Sequence, residues 1–372
     1  MCMLSESWIN DTFNKVEKKL NRLATEKRGT IPYSTGEGKI YDDKAKTNIS
    51  WWTNGFWPGM MWLMYDMTNK DVYKEAAEDT EILLDEAFKC YEGLHHDVGF
   101  MWHISSGANY RLTGNRESYL RNIYAANILA GRFNLKGEYL RAWNGENHTG
   151  YAIIDCMMNI PLLYWATEVT GDERYKYIAV THADKTLKNH VREDGSVNHI
   201  VNYNPENGEV KEFLAGQGSG VGSSWSRGQA WGIYGFTLSY IHTKDEKYLN
   251  TAKKIANYFI AACCEDYLPK SDFRSPEEPV LYDASAGLIA ACGLIELSRQ
   301  LDENERKMYY NAACNFIKAI VDKFADWSDD SDAIITHCSE RYSDQTHKTL
   351  VYADFYLVEA LNKLKGINTF LW

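Results

Sequence analysis

A single carboxylate, Asp155, interrupts the apolar stretch GYAIIDCMMNIPLLYWA between Gly150 and Ala166. Burying an unpaired charge among apolar side chains is so costly that proteins pair it or neutralise it. Asp155 is therefore either a local cap or ion-pair partner, or a functional group kept in apolar surroundings for its chemistry. A second acid, Asp97, follows two histidines in another segment. Two such acids are the minimum for acid–base chemistry on a glycosidic linkage.

The loop GLHHDVGFMW places His95 and His96 directly before Asp97. Imidazole and carboxylate groups are ligands for zinc and iron, so one interpretation of this loop is a metal site. Consecutive side chains rarely point at one ion, however, and no other histidine or cysteine shows ligand spacing. We therefore expect no metal and no other cofactor, and we interpret the segment as a sugar-binding loop with a functional carboxylate.

The stretch GSSWSRGQAWGIYGF places Arg227, Trp231 and Tyr234 on one face of a helix. A buried arginine requires an anionic partner, which is either a protein carboxylate or a substrate carboxylate held by two parallel hydrogen bonds. Upstream, the stretch WWTNGFWPG offers Trp51 and Trp52 as a stacking platform for the apolar face of a sugar.

A weak repeat of turns divides the chain into the elements that must position these residues. Its clearest copies are Thr68–Asp71, Thr170–Glu173 and Thr243–Glu246, and looser copies are Thr113–Asn115 and Leu301–Glu303. Each turn follows a segment that is apolar on nearly every side and precedes a tyrosine and an amphipathic segment. Buried helices alternating with amphipathic ones predict an all-α toroid of about six helical hairpins in two concentric layers. We expect a single domain over residues 1–372, with one β-hairpin in GSVNHIVNYN and GEVKEFL.

The unusual polar residues gather at the N-terminal ends of the predicted inner helices. Gly150, for example, precedes the inner helix that we expect to carry Asp155. Unpaired N–H groups and the positive end of the helix dipole favour bound anions there. We therefore expect a site at this mouth of the toroid.

Composition restricts the partners and the compartment. The formal net charge of −11 argues against nucleic acid and anionic membranes as partners. The N-terminal segment lacks the pattern of a secretory signal, and no apolar run is long enough to span a membrane. The eight cysteines show no CxxC spacing and are typical of reduced, packing cysteines. These features predict a cytoplasmic protein and leave its oligomeric state open.

The motifs HHDVGF, IIDCMMN and WSRGQAWGIYGF together resemble the unsaturated glucuronyl hydrolases of glycoside hydrolase family 88. The similarity extends from about Trp51 to YADFYLVEAL near the C-terminus, and the stretch around Arg227 is its most specific part. The resemblance implies an (α/α)6 barrel, in agreement with the predicted toroid. It also implies an intracellular hydrolase of unsaturated glycosaminoglycan disaccharides, such as those that polysaccharide lyases release from chondroitin sulfate and hyaluronan.

The resemblance assigns roles to individual positions. Asp155 matches the general acid/base of the family, and Asp97 matches its second essential carboxylate. The positions that match substrate-binding residues are His96, His199, Gln217, Arg227, Trp231 and one of Trp51 and Trp52. From its place in the predicted β-hairpin alone, His199 fits a solvent-facing position or one in the cleft.

The C-terminal stretch SDQTHK carries Ser343, Thr346 and Lys348. This spacing is similar to the S-x-x-S-x-K stretch by which some family members hold a sulfate on the aminosugar, with threonine retaining the second hydroxyl. A solvated loop is the alternative interpretation. For the whole chain, the alternatives are an unsaturated rhamnogalacturonyl hydrolase of the related family 105, a non-catalytic oligosaccharide-binding protein, and a metal-dependent enzyme on the same toroid.

Overall fold

Two concentric layers of helices form the fold, in a computed structural model that describes residues 4–36, 38–342, 346–367 and 369–372. The inner helices are α3 (Phe56–Thr68), α5 (Ser106–Thr113), α7 (Pro161–Thr170), α9 (Ser226–Thr243), α11 (Ala284–Arg299) and α13 (Val351–Leu364). The outer helices are α1 (Glu6–Glu26), α4 (Asp71–Lys89), α6 (Arg116–Ala130), α8 (Arg174–His190), α10 (Glu246–Ala262) and α12 (Glu303–Phe324). The predicted (α/α)6 barrel is therefore confirmed. A further helix, α2, covers only Lys44–Thr47, and no helix in the described parts of the chain could cross a membrane.

The repeated turn is the connection from an inner helix to the next outer helix. After α3, the Thr68 hydroxyl donates to the Met64 carbonyl (2.7 Å) and accepts a hydrogen bond from the Lys70 amide (3.4 Å). The equivalent bonds are made by Thr113, Thr170 and Thr243. Each threonine therefore satisfies a carbonyl at the end of one helix and orients the chain toward the next.

The tyrosine that follows four of these turns joins one outer helix to the preceding one. Tyrosine hydroxyls join neighbouring outer helices in the pairs Tyr73–Glu17, Tyr175–Asn127, Tyr248–Asp184 and Tyr309–Asn257. The ring is closed where α1 packs beside α13, so the first and last helices form the sixth hairpin without a turn between them.

Short strands lie in the loops that precede the inner helices. They are β1 (Pro32–Thr35), β2 (Tyr41–Asp43), β3 (Phe133–Asn134), β4 (Tyr139–Leu140), β5 (Tyr151–Ile153), β6 (Ile200–Tyr203) and β7 (Val210–Leu214). Strands β6 and β7 form the predicted hairpin, and β5 adds to its other edge in the antiparallel order β5-β6-β7.

The helix expected to follow Gly150 and to carry Asp155 is a wrong prediction. The chain instead forms β5, then a 3-10 turn over Ile154–Met158, and α7 begins only at Pro161. A short apolar run buried on both sides has the same appearance in a strand as in a buried helix. Gly150 is needed because a Cβ there would lie 2.0 Å from the Tyr203 carbonyl oxygen.

A buried histidine joins the β3–β4 hairpin to the outer layer. His182 on α8 is fully buried, and its Nδ1 accepts a hydrogen bond from the Leu140 amide (3.1 Å). Burial, with the neighbouring His190 and His96, lowers the pKa of His182 to about 3. An unfolded histidine titrates near pH 6.5. Between these values only the unfolded chain binds this proton, so acidification favours unfolding.

We therefore predict that His182 contributes about 1.4 kcal/mol per pH unit to the loss of unfolding free energy between pH 6 and 4. His182→Gln retains an acceptor for the Leu140 amide and should reduce the slope by that amount in urea unfolding experiments. Above pH 7 the free energies of the variant and the wild type should run parallel. An unchanged slope below pH 6 would show that His182 is protonated in the folded protein.

Candidate active site

A cavity of about 440 Å³ opens at the N-terminal ends of the inner helices, where the sequence predicted a site. Both predicted acids line it. The other predicted residues on its wall are Trp51, Trp52, His96, His199, Gln217 and Arg227. Five loops that are distant in sequence therefore meet at one surface, each held by the helix that follows it.

The β5–β6 pair positions Asp155 beside His199. Asp155 follows β5, His199 precedes β6, and the Ile154 amide donates to the His199 carbonyl (3.1 Å). The Nδ1 atom of His199 accepts a hydrogen bond from the backbone amide of Gln217 (3.0 Å), so in the neutral ring the proton is on Nε2. This Nε2 lies 3.5 Å from Asp155 Oδ1, and neither atom has a hydrogen-bond partner among the described residues.

Asn159 joins the loop of Asp97 to the turn of Asp155. Its amide nitrogen donates to Asp97 Oδ1 (3.2 Å) and to the Asp155 carbonyl (3.1 Å), and its Oδ1 accepts from the Phe100 amide (2.8 Å). The two segments approach so closely that a Cβ on Gly99 would lie 2.7 Å from the Asn159 Cα. Asn159 therefore fixes one acid relative to the other.

The surroundings of Asp97 favour its anion. Burial acts to raise the pKa of Asp97, but His96, His95 and the hydrogen bond from Asn159 outweigh burial and lower that pKa. Burial is also the main cause that lowers the pKa of His96 to about 4, so its imidazole is neutral near pH 7. Asp97 is therefore equipped to hold hydroxyls and to stabilise positive charge, and it is not a proton donor.

His95, His96 and Asp97 converge more closely than their consecutive positions predicted. One possible ligand atom from each residue lies within 4.8 Å of the other two. His95 Nδ1 is 3.2 Å, and His96 Nε2 is 3.4 Å, from Asp97 Oδ2. Consecutive side chains rarely point at one ion, but in this loop their possible ligand atoms do converge.

Arg227 has the protein partner that was one of its two predicted alternatives. Its guanidinium donates to Asp283 Oδ2 (2.7 Å), to the Glu340 carbonyl (3.1 Å) and to the Ser339 carbonyl. Asp283 in turn caps α11 by accepting from the Ser285 amide (3.2 Å). Arg227 therefore connects the starts of α9 and α11 with the loop at residues 339–340 on the cavity wall.

The same barrel occurs in known proteins. No family model matches the chain. It is 37% identical over 331 residues to the unsaturated glucuronyl hydrolase of Bacillus sp. strain GL1, covering 86% of this chain and 88% of that protein. The crystal structure of that enzyme matches with a TM-score of 0.93, 33% identity and coverage of 98% and 99%. The chain belongs to the unsaturated glucuronyl hydrolase family.

Two further relatives are described with an unsaturated disaccharide, one in its name and one as a bound molecule. The unsaturated chondroitin disaccharide hydrolase of Streptococcus pneumoniae is 31% identical over 371 residues, which are 96% of this chain and 92% of that protein. A variant of the Streptococcus agalactiae unsaturated glucuronyl hydrolase, solved with dGlcA-GalNAc6S, matches with a TM-score of 0.86, 28% identity and coverage of 100% and 95%.

Three of the other predicted residues lie away from the cavity wall. Trp231 is fully buried against Phe100 and Tyr356, because it is one helical turn deeper in the barrel than Arg227. Thr346 and Lys348 do not line the cavity either, although Lys348 Nζ lies 3.2 Å from Glu340 Oε1. Ser343 lies outside the described residues.

Sequence reasoning missed three residues that the structure brings to the site. Trp143 and Arg341 line the cavity, and Asn159 supports both acids. Asn159 is the last residue of the motif IIDCMMN. Trp143 directly precedes an asparagine and a glycine, and several other aromatic residues of the chain also stand near asparagine and glycine. Arg341 is the local basic group that an acidic chain would need for an anionic ligand, and it lies two residues before the predicted sulfate stretch.

We predict that Asn159→Ala lowers both stability and activity, because it leaves three buried polar groups without partners. Each such loss costs about 1–3 kcal/mol, and the catalytic efficiency should fall at least tenfold because the two acids are no longer fixed. Urea unfolding and steady-state kinetics test the two effects separately. The control is Asn122→Ala, since Asn122 is equally buried but contacts His103. If the two variants lose similar activity per folded molecule, Asn159 does not position the acids.

Proposed function

We propose that this glycoside hydrolase cleaves unsaturated uronyl disaccharides derived from glycosaminoglycans, as the names of its relatives indicate for those enzymes. The observation that carries the proposal is the pair of acids on one cavity wall with different surroundings. Asp97 has several partners that stabilise its anion, whereas Asp155 keeps an oxygen without a hydrogen-bond partner among the described residues.

The proposed reaction begins at the C4=C5 double bond of the uronic acid. Protonated Asp155 donates its proton to C4, and the positive charge that forms is shared between C5 and the ring oxygen. Water adds at C5 and transfers a proton to the Asp155 carboxylate, which regenerates the acid. The C5 hemiketal then opens, and the aglycone leaves from C1 as the ring becomes an open-chain dicarbonyl compound. The glycosidic bond is thus broken after hydration, without direct displacement at C1.

The neighbours of Asp155 have supporting roles in this proposal. The anion of Asp97 holds sugar hydroxyls and stabilises the positive charge at C5. His199, oriented by the Gln217 amide, presents its Nε2 toward Asp155 and helps to hold the water. Trp51, Trp52 and Trp143 supply flat surfaces for the sugar rings.

The negative charge of the substrate requires a local cation in a chain of net charge −11. Arg341 is exposed on the cavity wall, and no hydrogen bond or ion pair with described residues engages it. We propose that it attracts the substrate carboxylate. Lys348 does not line the cavity and pairs with Glu340, whose side chain is 17% exposed against 39% for the lysine. A partly exposed pair of this kind contributes little, so a sulfate could replace the glutamate as the partner of Lys348. With Thr346 and Ser343, Lys348 is proposed to hold a sulfate on the aminosugar.

We also propose a cytoplasmic location, which the state of the cysteines supports. No disulfide forms among the cysteines of the described residues, as expected in a reducing compartment. Unsaturated disaccharides would then reach the enzyme after uptake into the cell.

The first test of this proposal is Asp155→Asn, which cannot donate the proton. Turnover of unsaturated chondroitin and hyaluronan disaccharides, followed by loss of the enol-ether absorbance, should fall by about 100-fold or more. Binding of the disaccharide, measured by calorimetry, should persist because the amide occupies the same space. Asp172→Asn, in an exposed turn beside Arg174, is the control and should be silent. Turnover near the wild-type rate would remove Asp155 from the mechanism and favour a binding protein.

The second test separates the two cations. Lys348→Ala should lower catalytic efficiency about tenfold or more on a 6-sulfated unsaturated chondroitin disaccharide and leave the unsulfated one nearly unchanged, since a charge-assisted hydrogen bond contributes roughly 1.5–3 kcal/mol. Arg341→Ala should raise KM several-fold on both substrates, because both carry the uronate. Equal losses on both substrates in Lys348→Ala would contradict the sulfate assignment and give Lys348 a structural role.

A further inference from the structure

The segment His95–His96–Asp97 forms a cluster of metal-ligating side chains on the cavity wall, here named the HHD cluster. We propose that the HHD cluster binds a transition-metal dication of the zinc class and that the bound ion inhibits the enzyme. The binding is a property of the three side chains alone. Only the inhibition rests on the proposed function.

The separations within the HHD cluster suit a tetrahedral ion. Zinc lies about 2.0–2.2 Å from imidazole nitrogen and carboxylate oxygen, which places neighbouring ligands of a tetrahedral ion about 3.4 Å apart. The observed distances from Asp97 Oδ2 are 3.2 Å to His95 Nδ1 and 3.4 Å to His96 Nε2. One possible ligand atom from each residue lies within 4.8 Å of the other two, and the His95 side chain, which is 23% exposed, must rotate to complete the tetrahedral arrangement.

The remaining contacts leave these ligand atoms available. Asn159 donates to Asp97 Oδ1, which fixes the carboxylate and leaves Oδ2 for an ion. His95 Nδ1 is buried and has no hydrogen-bond partner among the described residues beyond its 3.2 Å contact with Asp97 Oδ2, so a ligand on that side would satisfy it. A cavity that admits a disaccharide leaves space for water as the fourth ligand.

The donor set also indicates which ions bind and how tightly. Two imidazoles and one carboxylate favour zinc, nickel or copper over magnesium or calcium, which prefer oxygen ligands. His96 Nδ1 is buried without a hydrogen-bond partner in the described residues, so this ring lacks the outer support that resident zinc ligands have. We therefore expect a reversible ion with a micromolar dissociation constant.

A bound dication would oppose the proposed chemistry in two ways. It would occupy the Asp97 oxygen that stabilises positive charge on the substrate. It would also add positive charge to a cavity in which a cationic intermediate must form. Zinc should therefore compete with the substrate, and removal of zinc should restore activity.

The binding test uses the full-length enzyme after dialysis against a chelator, without substrate, so that its outcome is independent of the proposed function. Calorimetry with zinc should show one site in the wild type and at least tenfold weaker binding in His95→Gln and in Asp97→Asn. His148→Gln, which changes a nearby histidine outside the cluster, is the matched control and should bind zinc as the wild type does. Cobalt(II) should give the intense visible bands of a tetrahedral complex in the wild type and in His148→Gln. These bands should be absent in His95→Gln and in Asp97→Asn.

The inhibition test compares zinc with magnesium during turnover. Zinc should raise the apparent KM with an inhibition constant equal to its calorimetric dissociation constant, and magnesium should have no effect. Unchanged zinc binding in both cluster variants would place the ion elsewhere and overturn the proposal. Zinc bound at the cluster without inhibition, or activity lost on chelation and restored by zinc, would overturn the inhibitory role.

Discussion

The carboxamide of Asn159 makes hydrogen bonds to both segments that carry the candidate acids, and the geometry of the site depends on this one side chain. Asp97 and Asp155 come from different loops, so nothing in their own backbones sets the distance between them. An amide can donate and accept at the same time, which is why one residue can hold a carboxylate, a carbonyl and an amide together. The adjacent Gly99 allows the segments to approach.

The barrel supplies the rigid base on which this arrangement rests. Threonines close the turns between inner and outer helices, and tyrosines join successive outer helices. Both devices lie at the end opposite to the starts of the inner helices. The loops at those starts are consequently free to carry strands, turns and the polar groups of the cavity without interrupting the packing of the two helical layers.

The two arginines on the cavity wall, Arg227 and Arg341, differ in burial and in their partners. Arg227 is fully buried and neutralised by Asp283 and by carbonyl groups, so it serves the connection between α9, α11 and the loop at residues 339–340. Arg341 on that same loop is exposed and has no such partner among the described residues. The buried cation thus builds the wall, and the exposed one is available to an anionic ligand.

The sequence by itself determined the helical layers, because turn chemistry and apolar periodicity are local properties that repeat along the chain. It also determined the residue types of the site, since Asp155 stands out in an apolar run and Arg227 in a buried helix. Only the tertiary structure decided that β5 precedes Asp155, that Trp231 lies too deep for the cavity, and that Asn159 and Arg341 belong to the site. These features depend on partners that are distant in sequence, namely β6, the barrel axis and the loops of other hairpins, and no local pattern encodes which of them meet.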